Sequence, residues 1–300
     1  ENRRLTTILL SPLMTCSARI PVYTLIIAAF VPPSWRVLGL NGQGLVMAGM
    51  YAFGIAMALF LALLLRWTPL YEAHPSPVTV LPPYRLPRLK ELGRYVWVRC
   101  WHFISKAGKV IFALSLLLWA LASFPRNEAA VAPLRSEITR VSAEYSPEAT
   151  RRLRELEGRI GALRIEHSLL GRIGLGVEPL FAPIGYDWKL SIAVISSLAA
   201  REVFVGTLGS LFALSGETEP SAGLVAALRE ARTPEGTPRY GLPTAVSLLL
   251  FFAVALQCVS TIVIVRRETG SWRWPALQFM VFFAIAYSLA FTGYRLTAYL

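Results

Sequence analysis

The run LVMAGMYAFGIAMALFLALLL at residues 45–65 contains no charged side chain. About 20 apolar residues are enough for a helix to cross the hydrocarbon core of a membrane. Hydrophobic residues make up 55% of the 300-residue chain, and charged residues only 16%. This composition lies outside the range of soluble globular domains. We therefore predict an all-α, polytopic membrane helical bundle.

Other apolar segments surround this run, and they fall into two groups. The segments predicted to be uninterrupted transmembrane helices are 44–66, 107–125, 243–265 and 274–293. Two further segments, 1–31 and 187–214, carry prolines or charges within their apolar stretch. The interrupting residues are, in chain order, Pro12, Arg19, Pro21, Arg201 and Glu202. The sequence thus predicts four clean spans and two broken or re-entrant helices.

Polar segments connect these helices. Segment 67–106 is rich in Lys and Arg, so the positive-inside rule predicts a basic cytoplasmic loop with an interfacial helix near its end. Segment 126–172 alternates Arg and Glu and repeats its apolar residues at helical spacing, which predicts a small amphipathic helical excursion. Segment 215–242 is polar and is expected to be a loop.

The side of the membrane that holds the C-terminus depends on segment 187–214. If this segment spans fully, the basic turn at 266–273 faces outside and the C-terminus is cytoplasmic. If it re-enters, the same turn faces the cytoplasm, as the positive-inside rule prefers. Both alternatives stay open at this point.

Several classes of function are disfavoured by composition. The net charge of +12 comes from basic residues between apolar spans, which indicates membrane orientation rather than nucleic-acid binding. The three cysteines are isolated, so we expect neither a disulfide scaffold nor a structural zinc site. The three histidines lie outside the clean spans, and no catalytic grouping emerges. We therefore do not expect an enzyme.

Charged residues inside a membrane are costly and need an explanation. Broken helices tolerate them where protein or water surrounds the backbone, and paired breaks in two halves mark transporter binding sites. The segments CSARIPVY (16–23) and LAAREVFV (198–205) each place Ala and Arg before a short apolar run. We therefore treat Arg19 and Arg201 as gating or structural charges, the alternative being that they merely lock helices together.

The first break also concentrates metal-binding atoms. Met14, Cys16 and Ser17 offer a thioether, a thiol and a hydroxyl, and sulfur favours transition metals over harder cations. Glu202 is a candidate second ligand or gating partner, and Cys258 is a further candidate. The alternative for each cysteine is a small apolar packing residue. Prolines at 12 and 21 mark the helix breaks.

Four separated segments resemble the ferrous iron transport protein B (FeoB) family. RRLTTILLSPLMTCSARIPVY (3–23) is similar to its Gate-type motif, and DWKLSIAVISSLAAREVFVGTLGSLFAL (187–214) to its second Gate segment, although Arg201 stands where the family usually has lysine. GKVIFALSLLLWALASFP (108–125) and QCVSTIVIVRRETGSWRW (257–274) resemble adjoining stretches. Segment 1–31 would be the second half of the first Gate motif.

The resemblance implies the C-terminal membrane half of a GTPase-coupled permease that moves Fe²⁺ into the cytoplasm across a bacterial inner membrane. The family's GTPase domain and first membrane half would precede residue 1, so GTP would act only through that domain. The family's Gate cysteine maps onto Cys16, and its charged position onto Arg201 and Glu202. A small accessory protein is an expected partner, and homo-oligomers stay open. The alternative is a Gate-type transporter of nucleosides or another small solute.

Overall fold

The structure is a computed structural model that describes residues 2–13, 16–37, 39–67, 88–125, 128–142, 147–212, 220–232, 236–255 and 258–299. The α-helices in the described residues are α1 (Asn2–Leu10), α2 (Ile20–Phe30), α3 (Gly42–Arg66), α4 (Leu89–Phe103), α5 (Lys109–Ser123), α6 (Glu128–Val141), α7 (Pro147–Glu166), α8 (Leu169–Phe181), α9 (Trp188–Ser196), α10 (Val203–Leu211), α11 (Pro220–Glu230), α12 (Leu242–Val254), α13 (Val259–Thr269) and α14 (Arg273–Ala298). Short 3₁₀ turns occupy Ser11–Leu13, Ser17–Arg19 and Ala182–Ile184, and a π-helical turn occupies Ile104–Gly108. The prediction of a helical membrane bundle is confirmed.

Four stretches of the described chain are long and apolar enough to cross a membrane. They are Arg4–Phe30, Gly42–Arg66, Leu242–Thr269 and Arg273–Ala298. Helix α5, predicted as part of a span over 107–125, has 15 residues and is not among them. It continues from α4 through the π-helical turn, and α4 itself is exposed along the described part of its length.

Helix α3 shows how local sequence sets the ends of a membrane helix. The Asn41 side chain accepts a hydrogen bond from the backbone amide of Gln43 at 3.1 Å and so caps the N-terminus. The helix ends at Arg66, whose positive charge complements the C-terminal dipole. Ile55, Leu59 and Leu63 are exposed on the protein surface, as lipid-facing residues would be. A two-stranded hairpin, Arg36–Val37 with Leu40–Asn41, joins α2 to α3.

Helices α9 and α10 form a re-entrant hairpin. The Lys189 ammonium at the start of α9 lies 4.6 Å from the centre of the Phe212 ring, just beyond the end of α10. The two ends of the segment therefore meet at the same end of the bundle, and its turn at 197–202 lies in the interior. This helical hairpin is the arrangement expected of the re-entrant alternative, which we adopt as the working topology.

Asp187 anchors the base of this hairpin and is 8% exposed. One carboxylate oxygen caps α9 by accepting from the amide of Leu190 at 3.0 Å. The other accepts from Arg239 at 2.9 Å and from the Tyr240 hydroxyl at 2.8 Å. Burial and the neighbouring Asp187 carboxylate raise the pKa of the Tyr240 hydroxyl, which therefore remains a donor.

The stretch 242–269 contains a break that the sequence analysis did not predict. Helix α12 ends at Val254, and α13 begins at Val259, whereas one uninterrupted span was expected over 243–265. The two broken stretches pack side by side, with α1 against α13 and α2 against α12. An ion pair of 2.6 Å between Arg4 and Glu268 fixes the outer ends of α1 and α13 together.

The predicted excursion at 126–172 forms α6 and α7 together with the start of α8. Leu156 and Ile160, two of the apolar residues at helical spacing, are buried. Helix α7 packs against α5, α8 and α10. Helix α7 therefore covers one side of the hairpin, and α6 packs against α7.

The core lies between α2, the hairpin, α12 and α14. Aromatic rings interlock there, and Phe204 of α10 meets Phe252 of α12 edge-on with ring centres 4.8 Å apart. Helices α12 and α14 approach closely at Gly293, where a Cβ would lie 2.5 Å from a methyl carbon of Leu250. This packing holds the breaks in fixed positions relative to one another.

Candidate functional site

Three interruptions in helical structure meet in the interior of the bundle. They are the break between α1 and α2, the turn of the hairpin between α9 and α10, and the break between α12 and α13. A cavity of about 600 Å³ lies among them. Its described lining residues are Thr7, Ile8, Ser11, Pro12, Cys16, Ala18, Ala200, Arg201, Glu202, Cys258, Ser260, Thr261, Ile264, Val265 and Glu268.

Cys16 lies at the first break, between two short 3₁₀ turns. Its backbone is extended (φ −96°, ψ 157°), and its side chain is exposed to the cavity. Gln278 of α14 donates to the carbonyl of Leu9 at 2.6 Å, which satisfies one acceptor at the end of α1. The break is thus stabilised by a residue far away in the chain.

Arg19 follows Cys16 and is 1% exposed. Its Nη1 atom donates to the carbonyl of Leu13 at 3.4 Å. Its Nε and Nη2 atoms have no hydrogen-bond partner among the described residues. Arg19 is therefore directed at the end of the first 3₁₀ turn, and it is not among the residues that line the cavity.

Arg201 occupies the turn of the hairpin and is 5% exposed. Its Nη2 atom donates to the carbonyl of Ala255 at 2.9 Å, and its Nη1 atom to that of Phe252 at 3.4 Å. These carbonyls belong to the last turn of α12, where the helix dipole is negative. Arg201 thus stabilises the break between α12 and α13 and directs its charge at carbonyl oxygens.

Cys258 holds the position at the third interruption that Cys16 holds at the first. It is the extended residue (φ −139°, ψ 112°) immediately before the helix that follows the break. The amide of Val259 donates to the carbonyl of Leu198 at 2.9 Å, which ties α13 to the hairpin turn. The sequence analysis compared Cys16–Tyr23 with the hairpin; the structure shows that the α12–α13 break is also a counterpart of the first break.

Glu202 lines the cavity beside Arg201, and its side chain is exposed. It makes no hydrogen bond or ion pair with any described residue, since Arg201 is turned toward α12 instead. A carboxylate in this position is available to a cation entering the cavity. Of the charges predicted within the broken helices, Glu202 is the one left without a described partner.

The structure brings some of the predicted residues together and separates others. Pro12, Cys16, Arg201, Glu202 and Cys258 share the cavity. Ser17 and Pro21 do not line it, and Pro21 lies in the first turn of α2, where proline is well tolerated. Met14 lies outside the described residues. Cys100 lies on exposed α4 and is not among the residues that line the cavity.

Five polar residues of the described cavity wall were not among the predicted site residues: Thr7, Ser11, Ser260, Thr261 and Glu268. The last three follow the unpredicted break in the α12–α13 stretch. The buried Ser260 hydroxyl has no hydrogen-bond partner among the described residues. The signal in the sequence was the polar pair Gln257–Cys258 inside an apolar run, which indicated candidate ligands but was not taken as a break.

The cavity offers soft and hard donors without a closed metal cage. Thiols of Cys16 and Cys258, the Glu202 carboxylate and nearby hydroxyls are all donors suited to a divalent transition metal. Among the described residues, however, no three His, Cys, Asp or Glu side chains come close enough together to hold one metal ion. The arrangement therefore suits weak contacts made in sequence, as conduction requires, better than a stable metal centre.

Two family models match the chain. The Gate model, described as nucleoside recognition, covers residues 104–272 and therefore more than half of the chain. The model for the ferrous iron transport protein B C terminus covers residues 47–99. The Gate match includes the hairpin and the α12–α13 break, and the second match covers most of α3 and α4.

Curated relatives align along nearly the whole chain. The Fe(2+) transporter FeoB of Leptospira interrogans serovar copenhageni is 38% identical over 298 residues, which is 98% of this chain and 39% of the relative. A Porphyromonas gingivalis protein, a Fe(2+) transport protein A/Fe(2+) transporter FeoB fusion, is 34% identical over 305 residues, or 99% of this chain and 35% of that protein. The Fe(2+) transporter FeoB of Helicobacter pylori strain J99 is 28% identical over 299 residues, which is 99% of this chain and 44% of that protein. The chain thus spans about two fifths of these relatives, and no solved structure matches it.

Proposed function

Because the chain belongs to the ferrous iron transport protein B family, whose C-terminal membrane part it matches, we propose that it forms the membrane path for Fe²⁺ uptake. Fe²⁺ is the substrate in this proposal, and it passes the cavity on its way to the cytoplasm. Relatives named as Fe(2+) transporters support this choice of substrate.

The observation that carries the proposal is the convergence of Cys16, Glu202 and Cys258 on one cavity. These residues are separated by up to 242 positions in the chain, yet each lies at an interruption of helical structure. Charge and exposed backbone are tolerated at membrane depth only where protein or water surrounds them. A cavity lined by three breaks provides that setting, and its donors suit Fe²⁺.

We assign roles by chemistry. Cys16 and Cys258 act as transient thiolate ligands, and Glu202 supplies the negative charge that offsets the dehydration of the cation. Glu268, at the end of α13 beside Arg4, marks the side of the cavity toward which the ion leaves. Ser17 and Pro21 shape the first break without lining this cavity, whereas Pro12 belongs to both the break and the cavity wall.

The transport of nucleosides is less well supported. A nucleoside site is expected to offer aromatic rings for stacking and amides for the base edge. The described lining residues of the cavity include neither, although the matching Gate model carries the description of nucleoside recognition. Fe²⁺ is therefore the substrate that the side chains favour.

The proposal also covers the orientation of the transporter in the membrane and its partners. The basic end of the bundle, which carries Arg66, Arg266 and Arg267, faces the cytoplasm of a bacterial inner membrane. GTP acts through the GTPase domain of the full-length family, outside this chain. A small accessory protein takes part, as the fusion of transport protein A to FeoB in Porphyromonas gingivalis suggests.

The test measures initial rates of Fe²⁺ uptake by cells that express the intact protein with single substitutions. Cys16→Ser and Cys258→Ser should each lower uptake about tenfold, because a hydroxyl replaces a soft ligand. Cys100→Ser is the matched control, and it should retain the wild-type rate because Cys100 lies on exposed α4. Membrane levels of each variant are compared by immunoblot.

Wild-type uptake by both cavity variants at normal membrane levels would refute the assigned path. Uptake of a nucleoside with no uptake of Fe²⁺ would refute the substrate.

A further inference from the structure

The turn of the re-entrant hairpin bridges the break between α12 and α13. Arg201 donates to the carbonyls of Phe252 and Ala255 on one side of the break, and the Leu198 carbonyl accepts from Val259 on the other. The last carbonyls of α12 and the first amide of α13 would lack partners in an isolated broken helix. Here the hairpin turn at 197–202 supplies a partner to both sides.

The contacts of Arg201 are buried, although Arg201 also lines the cavity. Arg201 and Leu198 belong to the same turn, Arg201 is nearly fully buried, and the carbonyl-bearing Phe252 and Ala255 are each at most 1% exposed. Hydrogen bonds that involve a buried charged group are stronger than neutral ones, and losing one partner leaves the other unsatisfied. The bridge is therefore a stable element of the interior.

Cys258 is the residue that the bridge fixes in place. It lies between Ala255, held by Arg201, and Val259, held by Leu198. The break leaves Cys258 extended and half-buried at the cavity wall. Cys16, at the equivalent point of the first break, receives no such contact from the hairpin turn among the described residues, so it serves as an internal reference.

We propose that Arg201 is a positioning residue that sets the placement of Cys258 in the cavity by clamping the end of α12 to the hairpin turn. The role of Cys258 as an ion ligand rests on the proposed function. The claim that Arg201 sets the position of Cys258 does not depend on that function. Arg201 acts through the backbone of α12 and does not itself contact the ion. The bidentate geometry suits a guanidinium, whose nitrogens reach two carbonyls at once.

The experiment measures how fast each cysteine of the intact protein reacts with N-ethylmaleimide in native membranes without added iron. Mass spectrometry of peptides reports Cys16, Cys100 and Cys258 separately in one sample. In Arg201→Met, Cys258 should react at least tenfold faster than in the wild type, because the freed break exposes its thiol. Cys16 and Cys100 should stay within twofold of their wild-type rates.

Arg201→Lys provides rescue by a conservative change. A lysine retains the charge and can reach one carbonyl, so the Cys258 rate should lie between those of the wild type and Arg201→Met. If Arg201→Met fails to accumulate in the membrane, Arg201→Lys alone tests the proposal. The alkylation rate of Cys258 should then rise twofold to fivefold above the wild-type rate. An unchanged Cys258 rate, or equal increases at Cys16 and Cys258, would overturn the proposal.

This readout separates the two claims. Thiol reactivity is measured without iron, so a failure of Arg201 to position Cys258 leaves the iron path untested by that result. If uptake assays refute the proposed iron path, the positioning role of Arg201 would likewise be unaffected by that result.

Discussion

The amide of Val259 donates to the carbonyl of Leu198 at 2.9 Å, so a helix that starts in mid-bundle is tied to the turn of a re-entrant hairpin. This single contact joins two of the three interruptions that surround the cavity. It also explains why the α12–α13 stretch is broken, since the hairpin replaces the hydrogen bonds that a continuous helix would have made.

The Glu202 carboxylate, which has no partner in the part of the chain that the structure describes, leads to the first prediction. Glu202→Gln should lower the rate of Fe²⁺ uptake by at least about tenfold, a difference of about 1.4 kcal/mol in the barrier, because the amide removes the charge that offsets ion dehydration. Uptake of radioactive iron by cells that express the intact protein measures the effect. Glu178→Gln, on α8 and outside the cavity lining, is the control and should be neutral.

Equal uptake by Glu202→Gln and Glu178→Gln at equal membrane levels would remove Glu202 from the path.

The re-entrant hairpin leads to a prediction about sidedness. The connection between α2 and α3 and the turn after α13 lie at opposite ends of the bundle. The α12–α13 stretch crosses the bundle, whereas α9 and α10 enter and leave it at the same end. In a background without native cysteines, Ser34→Cys should react with a membrane-impermeant maleimide added to intact cells. Ser271→Cys should react only after permeabilisation.

Labelling of both positions from outside would place the α2–α3 turn and the turn after α13 on the same side of the membrane, as expected if segment 187–214 spans fully, and would contradict the re-entrant topology. The opposite pattern would reverse the orientation and leave the hairpin intact.

Asp187 provides a test of how the hairpin base is held. Asp187→Ala removes a helix cap and leaves Arg239 and Tyr240 without their shared acceptor, so we expect a loss of about 2–4 kcal/mol of stability. Asp187→Asn keeps an acceptor for the cap and should lose less. Thermal denaturation of the detergent-solubilised intact protein is monitored by fluorescence-detected gel filtration. The melting temperature should be highest for the wild type, lower for Asp187→Asn and lowest for Asp187→Ala.

Equal melting temperatures for Asp187→Ala and the wild type would show that the hairpin base is held by other contacts.

The sequence predicts the membrane helices well where their signal is local. Helix α3 is an apolar run with a cap at one end and Arg66 at the other, so both its existence and its ends are visible in the residues themselves. The first break is likewise marked by Pro12 and Arg19. The α12–α13 break is not, because its stabilising partners, Leu198 and Arg201, are more than 50 residues away.

The site shows the same division between local and distant signals. Cys16, Glu202 and Cys258 were identified by their chemistry, because thiols and carboxylates are unusual inside apolar segments. That they share one cavity could not be predicted, since it depends on α1 packing against α13 and on the hairpin turn bonding to the start of α13. Glu268 was missed because a charge at a helix end needs no special explanation in a sequence.

The most direct test of the iron path measures whether Fe²⁺ protects the cavity thiols. Alkylation rates of Cys16, Cys258 and Cys100 are followed by mass spectrometry in the intact protein under anaerobic conditions, with Fe²⁺ or with Mg²⁺ as a control. Fe²⁺ should slow alkylation of Cys16 and Cys258 at least threefold, whereas Mg²⁺ should not, and Cys100 should be unaffected by either ion. Unchanged rates at both cavity thiols, at Fe²⁺ concentrations that saturate uptake, would contradict the proposed iron path.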